Sequence, residues 1–485
     1  MNLLYLFYSY SILLYYSLLT RGCYGFWYGR RYHKKPASVI LNDLSKYINK
    51  NEDPCDNFYK FSCGKWIDET KLSRDEKIIS QFSHGENKFK KFLKEAVRGD
   101  YDDDSPAIKK INYIKTKCSK LNGFWRSRCF EKLSSGFGLY PYVSYFLHKE
   151  FIKNKDTRRN FKIIGQMFNN LKNEFKLLLN ERDNMLDGMT KRNYMKKIDN
   201  MKIDTSVIIT LSNLKTMEEC YKLLEISRKD SYKIILFKIR FFLTRLYLSK
   251  KTELNTCFKI ITNYSVLKFG ILANAAYLVE HNEIIITPML IDKPMFSPDY
   301  PMSYNYGSIG FILGHEIIHG FDNVGIHFDH EGDYDRSMTS YRAKMRYREK
   351  ADCLENQYNE ERNNMFDKNV DGRLTLRENI ADNGAIKITH RAYMRYLKNI
   401  GGQEKGVGKY KNYTDEQLFF INFGKTFCEK VADGYVRSSH RFDEHSPGEV
   451  RVIKTLSNYR PFSKAFNCMI GDNMNPIDKC EVWMY

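Results

Sequence analysis

His315-Glu316-Ile317-Ile318-His319 reads H-E-x-x-H inside a stretch of helical character. Four positions make just over one helical turn, so the two imidazoles stand on one face and can grip a single ion. Glu316 follows His315 directly and reaches the same side of that ion without ligating it. Two histidines with a carboxylate to activate water are the layout of a zinc hydrolase. The plainer alternative is a surface helix that happens to carry His and Glu. The surroundings argue against it, because residues 310–313 are apolar and Gly320, a helix-ending residue type, follows at once. A buried helix is expected, where unpaired His and Glu would be costly. Phe311 and Ile312, one turn before His315 and Glu316, offer an apolar wall of the kind a side-chain pocket needs.

Two histidines cannot hold a catalytic zinc alone. Downstream, Glu378-Asn379-Ile380-Ala381-Asp382 sets two carboxylates at i and i+4 on one helical face. Glu378 can complete a His2Glu set, and Asp382 can accept the second N–H of a ligand histidine and fix its orientation. Two other readings compete for Glu378. Thr375-Leu376-Arg377-Glu378 fits a capping box. Asp367, Asn369, Asp371, Gly372 and Glu378 also satisfy a calcium-loop pattern, with Leu374 at its apolar position and residues 341–365 as an entering helix. Such loops work in pairs, and no second one is found.

Several further motifs stand in a fixed order. They are Asn274-Ala275-Ala276-Tyr277, Gly314 and Phe321-Asp322 around the histidines, His445-Ser446-Pro447-Gly448 with Arg451, and Asn475-Pro476 before Cys480-Glu481-Val482-Trp483. Cys55-Asp56-Asn57-Phe58-Tyr59 and Cys63-Gly64-Lys65-Trp66 lie far upstream. With the two carboxylate and histidine motifs, this set resembles the neprilysin-type (M13) zinc metallopeptidases, a family that includes endothelin-converting enzymes. The likeness runs almost unbroken from about residue 260 to 485. It implies a mainly α protein with a small β-sheet, a two-lobed thermolysin-like (gluzincin) metallopeptidase with a shortened helical lobe. It implies one Zn2+ per chain on His315, His319 and Glu378, with Glu316 as general base and then proton donor to the leaving amine. By the same resemblance Asp382 orients a ligand histidine and His445 donates a hydrogen bond to the developing oxyanion. Arg451 would hold a substrate carbonyl in a forked contact.

Asn274 and Ala275 are implied to bind the substrate backbone. Nearby Glu283-Ile284-Ile285-Ile286-Thr287 reads as a strand, beside whose edge a peptide could pair through main-chain bonds. Leu290, Met295, Phe311, Ile312 and Phe427 fall where the family builds a primed-side apolar pocket, which implies cleavage before a large apolar residue. In some relatives arginines after the Trp66 region hold a substrate's terminal carboxylate. The aligned positions here are Ile78 and Glu86, so internal cleavage is expected rather than dipeptide release.

Of the 11 cysteines, Cys23 falls in the leading stretch and the other ten suit disulfides. The resemblance implies Cys55–Cys468, Cys63–Cys428, Cys353–Cys480 and Cys118–Cys220, which leaves Cys129 and Cys257 as a pair. Asn263-Tyr264-Ser265 and Asn412-Tyr413-Thr414 are glycosylation sequons, meaningful in a secretory route. Residues 3–19 form an uncharged Tyr/Leu-rich run, short for a membrane span, with Gly22 and Gly25 near a cleavage point. A secretory signal is the first expectation and an uncleaved anchor the second. The cations at Arg21, Arg30, Arg31, Lys34 and Lys35 fit neither cleanly, and an anchor with a cytoplasmic tail is not expected.

Residues 1–25 are thus expected to be a signal peptide or anchor, 36–255 a shortened helical N-terminal region, and 256–485 the zinc peptidase domain. From about 70 to 250 the Lys-rich amphipathic stretches read as helices, and Asp102-Asp103-Asp104 before Ser105-Pro106 as a loop and helix start. In longer relatives this region closes a chamber that admits only oligopeptides. The net charge of +20 and aromatic content of 15% invite a nucleic-acid reading. The cations are dispersed and no nucleic-acid fold signature is present, so no nucleic-acid partner is expected. The expected function is a zinc endopeptidase acting on extracellular peptides, secreted or anchored at the cell surface. The alternative is a catalytically silent member that binds peptide or a partner.

Overall fold

A computed structural model describes residues 44–74, 76–181, 185–363, 368–404, 412–432 and 443–483. The leading apolar run at 3–19 and Asp367 of the calcium-loop pattern lie outside the described residues. Among the described residues, no helix is long and apolar enough to cross a membrane.

Helices dominate, as the spacing of apolar residues predicts. Ser105 caps the helix Pro106–Ser119 by accepting from the Ile108 amide, with Pro106 at its first turn, so the acidic run before it is a loop and helix start. The long helix Lys155–Asn180 buries Ile164, Phe168, Leu171, Phe175 and Leu178 along one stripe. That stripe packs against Leu376–Asn399, the helix that carries Glu378 and Asp382. One large apolar core runs from Tyr47 to Trp483, so helices on both sides of residue 255 share it, and Tyr300, Tyr304 and Leu418 form a small second cluster.

The small sheet has the order Lys202–Asp204, Glu283–Ile286, Ala275–Leu278. Lys202–Asp204 runs parallel to the central strand, while Ala275–Leu278 pairs with it antiparallel through a hairpin that turns at Asn282, φ 52°. The expected strand at 283–287 therefore exists but offers no free edge. Lys202–Asp204 arrives from far upstream and occupies one side, so the outer strands are Lys202–Asp204 and Ala275–Leu278. Ala275–Leu278 packs against the helix Phe311–His319. A separate two-stranded pair joins Ile78–Ser80 to Glu429–Val431.

Three disulfides stand as the resemblance implies: Cys55–Cys468, Cys63–Cys428 and Cys353–Cys480. The other two differ. Cys118 pairs with Cys129 and Cys220 with Cys257, not Cys118 with Cys220 or Cys129 with Cys257. Helix packing explains this. Cys118 ends Pro106–Ser119, and a short turn lays Gly123–Ser134, with Cys129, against it. Cys220 on Leu214–Lys222 likewise faces Cys257 on Thr252–Thr262. Cys63–Cys428 instead spans 365 positions and clamps the helix Phe58–Glu69 to the helix Asp415–Thr426 and its exit. Replacing both Cys63 and Cys428 by Ser is expected to cost about 2–5 kcal/mol in denaturant titration, because the closed loop is long.

Candidate metal centre

The helix Phe311–His319 continues a helical run that begins at Met302 and passes through a π-type turn at Tyr306–Gly310. Every residue from Phe311 to His319 is buried. It lies against Leu376–Asn399 at very close range, which two glycines permit. A Cβ on Gly314 would meet Thr389 Oγ1 at 2.6 Å, and one on Gly384 would meet Ile318 Cγ2 at 2.9 Å. Side chains at either position would push the two helices apart.

That approach brings three ligand groups together. His315 Nε2 lies 2.9 Å from one Glu378 oxygen, His319 Nε2 3.4 Å from the other, and the two Nε2 atoms are 3.0 Å apart. A tetrahedral ion with bonds of about 2.0–2.1 Å spaces its donors by about 3.3 Å, so the set fits zinc. The outer nitrogens are also fixed. His315 Nδ1 lies 2.8 Å from Asp382 Oδ1, and His319 Nδ1 2.8 Å from Asp322 Oδ2, which aims both Nε2 atoms at one point. The other cluster of potential ligands among the described residues, Cys55, Cys468 and Asp472, has both sulfurs in a disulfide.

Neither rival use of Glu378 holds. Thr375 makes no side-chain cap bond; its hydroxyl donates to the Asp371 carbonyl and accepts from Asn379. The Glu378 carboxylate faces imidazoles, which leaves the calcium pattern without its last ligand, while Asp371 accepts from the Leu374 amide within its own turn.

The electrostatics suit a cation. Burial alone would lower the His319 imidazole, yet the Glu378 and Asp322 carboxylates outweigh it and push the group up to about 10. Burial would raise Glu378, but the His319 and His315 rings hold it well below the usual carboxylate range. Without a metal the cluster thus stores protons. Because the folded His319 value exceeds the ordinary 6.5, its contribution is present below that value and is lost as pH rises toward about 10. A zinc-stripped sample is therefore expected to melt at progressively lower temperature from pH 7 to 9, while a zinc-loaded one changes little. Parallel calorimetric scans would check this.

Glu316 is buried on the same helix and makes no hydrogen bond among the described residues. His445 reaches the cluster from the loop at 443–447, with Nε2 3.2 Å from Glu378 and Nδ1 3.0 Å from Asp443. Ser446 anchors that loop by donating to the Asn379 side-chain oxygen Oδ1 at 2.9 Å. Arg451 lies on the next helix, Gly448–Ser457, and forks onto Asp382 through Nε and an Nη, both at 2.7 Å. Its guanidinium also sits 4.6 Å over the Phe427 ring. Two of its donors are thus committed to Asp382, so it orients that carboxylate whatever else it holds.

At the sheet, Asn274 is exposed beside the outer strand Ala275–Leu278, and its side-chain oxygen accepts from the Ala275 amide. Thr287 rivets it there, donating to the Asn274 carbonyl from both N and Oγ1. Phe311 meets Phe427 edge-on at 5.6 Å and lies 6.3 Å from the His315 ring, so these two reach the site. Leu290, Met295 and Ile312 are buried in the same core. Ile78 is half-exposed in the pair with Val431, and Glu86 pairs with Lys90 at 3.6 Å. Both sequon asparagines, Asn263 and Asn412, are exposed.

Sequence reasoning gave no role to Asp322, Arg377 or Asp443. Asp322 is fully buried, accepts from the Val324 and Gly325 amides, and receives Arg377 Nε at 2.6 Å. Its sequence signals are its place three residues after His319 and its part in the Phe321-Asp322 motif.

Comparison with known proteins agrees with this geometry. Residues 274–482 match the model of peptidase family M13. The chain is 32% identical over 317 residues to neprilysin-1 of Caenorhabditis elegans, covering 65% of this chain and 41% of that one. It is 39% identical over 214 residues to human neprilysin, covering 43% and 28%. It thus spans less than half the length of these relatives. Among solved structures, an inhibitor complex of a zinc metalloprotease from Mycobacterium tuberculosis superposes with TM-score 0.53 at 20% identity, over 75% of this chain and 52% of the other. A chain of a galactose-containing glycoprotein complex from Haemonchus gives TM-score 0.65 at 16% identity, over 93% and 100%.

Proposed function

Because the chain belongs to the neprilysin-type peptidase family M13, we propose that it is a zinc-dependent endopeptidase that cleaves extracellular oligopeptides on the amino side of large apolar residues. One observation carries the reading: His315, His319 and Glu378 converge from two helices with both histidines held by second carboxylates, beside a free Glu316. Zinc, when bound there, supplies a Lewis acid that polarises the scissile carbonyl and acidifies water. Glu316 takes the proton from the attacking water and passes it to the leaving amine. His445, steadied by Asp443, donates to the carbonyl oxygen as negative charge develops on it. Asn274 and the edge at Ala275 hold the substrate backbone, and Arg451 reaches a substrate carbonyl with a donor not used on Asp382. Phe311 and Phe427 receive the apolar side chain, with Leu290 and Ile312 behind them.

The catalytic machinery falls within 256–485, and the described residues between 44 and 255 supply helices that share its core. A secreted or cell-surface location accords with five disulfides and two exposed sequons. The test is cleavage of internally quenched peptides that differ at one position. Peptides with Leu or Phe there should be cut on its amino side, and a chelator should stop the reaction. Phe427→Ala should lower kcat/KM for those peptides by about tenfold or more, through loss of apolar contact. Uncut peptides that nevertheless bind would favour the silent, peptide-binding role.

A further inference from the structure

The helix Tyr232–Tyr247 turns Ile235, Ile239, Phe242 and Leu246 into the core. On its other side Ile234, Phe237, Phe241 and, just past its end, Leu248 face solvent, with Phe237 68%, Phe241 54% and Leu248 69% exposed. At about 100° per residue, these four fall within roughly 60° of arc and form one ridge. The Phe237 and Phe241 rings stack along it at 6.4 Å.

Cations line both flanks. The helix carries Lys233, Lys238, Arg240 and Arg245 and no acidic residue. Lys238 pairs with Asp230 at 2.8 Å, but Lys233, Arg240 and Arg245 are exposed and form no ion pair among the described residues. Lys233 and Arg240 project to one side of the ridge and Arg245 to the other, where it lies over the Phe241 ring at 5.7 Å. Soluble surfaces rarely expose a continuous ridge of this kind without a partner. A dissolved polyanion would use the cations and gain nothing from Phe237, Phe241 or Leu248. A bilayer with anionic headgroups uses both, since the apolar side chains enter the headgroup boundary while the cations meet the negative charge above it. The net charge of +20 has the same sense.

We propose that the face of Tyr232–Tyr247 bearing Ile234, Phe237, Phe241 and Leu248 docks flat on an anionic lipid surface. This site is separate from the leading apolar run, and it would hold the enzyme at a membrane without spanning it. The test is sedimentation of the full chain with vesicles of phosphatidylcholine alone or mixed equally with phosphatidylserine. Wild type should sediment with the mixed vesicles, weakly with the neutral ones, and less as salt is raised. Phe237→Ser with Phe241→Ser, and separately Lys233→Glu with Arg240→Glu and Arg245→Glu, should each weaken partitioning by about tenfold or more, with unchanged melting temperature. Wild type left in the supernatant would overturn the proposal. So would full retention of binding by the phenylalanine variant, which would mean a general polyanion patch. A dimer seen by light scattering without vesicles, and lost in that same variant, would assign the ridge to a second copy instead.

Discussion

Glu316→Gln is expected to reduce peptide hydrolysis by at least about 10²–10⁴-fold while zinc stays bound at the wild-type stoichiometry. The substitution keeps the shape of the side chain and removes only its ability to accept a proton. Among the described residues, the other titratable groups of the site are already held by partners. His315 and His319 are turned to Glu378 on one side and to Asp382 and Asp322 on the other. His445 is tied to Asp443. Glu316 is the buried carboxylate of the cluster with no hydrogen-bonding partner among the described residues, so it is the group left to receive a proton from water. Folding should be little affected, because no bond is lost. Two measurements on one preparation decide the matter: turnover of a quenched peptide, and zinc content by atomic absorption. Retained turnover would end the proposed role. Loss of zinc along with turnover would recast Glu316 as a ligand.

The candidate metal cluster was legible because its information is local and periodic. His315 with His319, and Glu378 with Asp382, are i, i+4 pairs whose shared face follows from helical geometry alone. What periodicity could not supply was the partner of each face. Glu378 satisfied a zinc set, a capping box and a calcium loop equally well on paper. Only the approach of two helices at Gly314 and Gly384 turns its carboxylate to the imidazoles. The strand at Glu283–Ile286 was readable from its run of isoleucines, but its central place depends on Lys202–Asp204, a distant segment with no visible tie to it. The disulfides divide in the same way. Three pairings implied by the resemblance hold, whereas Cys118 and Cys220 lie in the helical region upstream of the family match at 274–482. There the bridges follow the nearest packed helix. Arg451 was read as a substrate contact, and its fork on Asp382 could not be inferred without knowing that the helix Gly448–Ser457 packs on Leu376–Asn399.

Asp322→Asn and Asp382→Asn should each weaken zinc binding by about 10–100-fold, and the first should be the more damaging. Both carboxylates hold the outer nitrogen of a ligand histidine, and both are paired with an arginine, Arg377 or Arg451. They differ in how the second oxygen is used. Asp322 Oδ1 accepts from the Val324 and Gly325 amides, and Oδ2 serves His319 and Arg377. An asparagine must keep its oxygen on the two backbone amides, so its NH2 would face two donors, and the His319 ring would lose its hold. At Asp382, Oδ1 takes His315 and one Arg451 nitrogen, while Oδ2 takes only Arg451 Nε. An asparagine there can leave its oxygen on His315 and set its NH2 against a single arginine donor, which can shift away. Competition with a chelator of known affinity would rank the two variants against wild type, and peptide turnover at saturating zinc would show how much activity returns once the metal is forced in. Equal zinc affinity for Asp322→Asn and wild type would mean that the His319 ring is held by packing alone, and that the second carboxylate–imidazole pair contributes nothing to the centre.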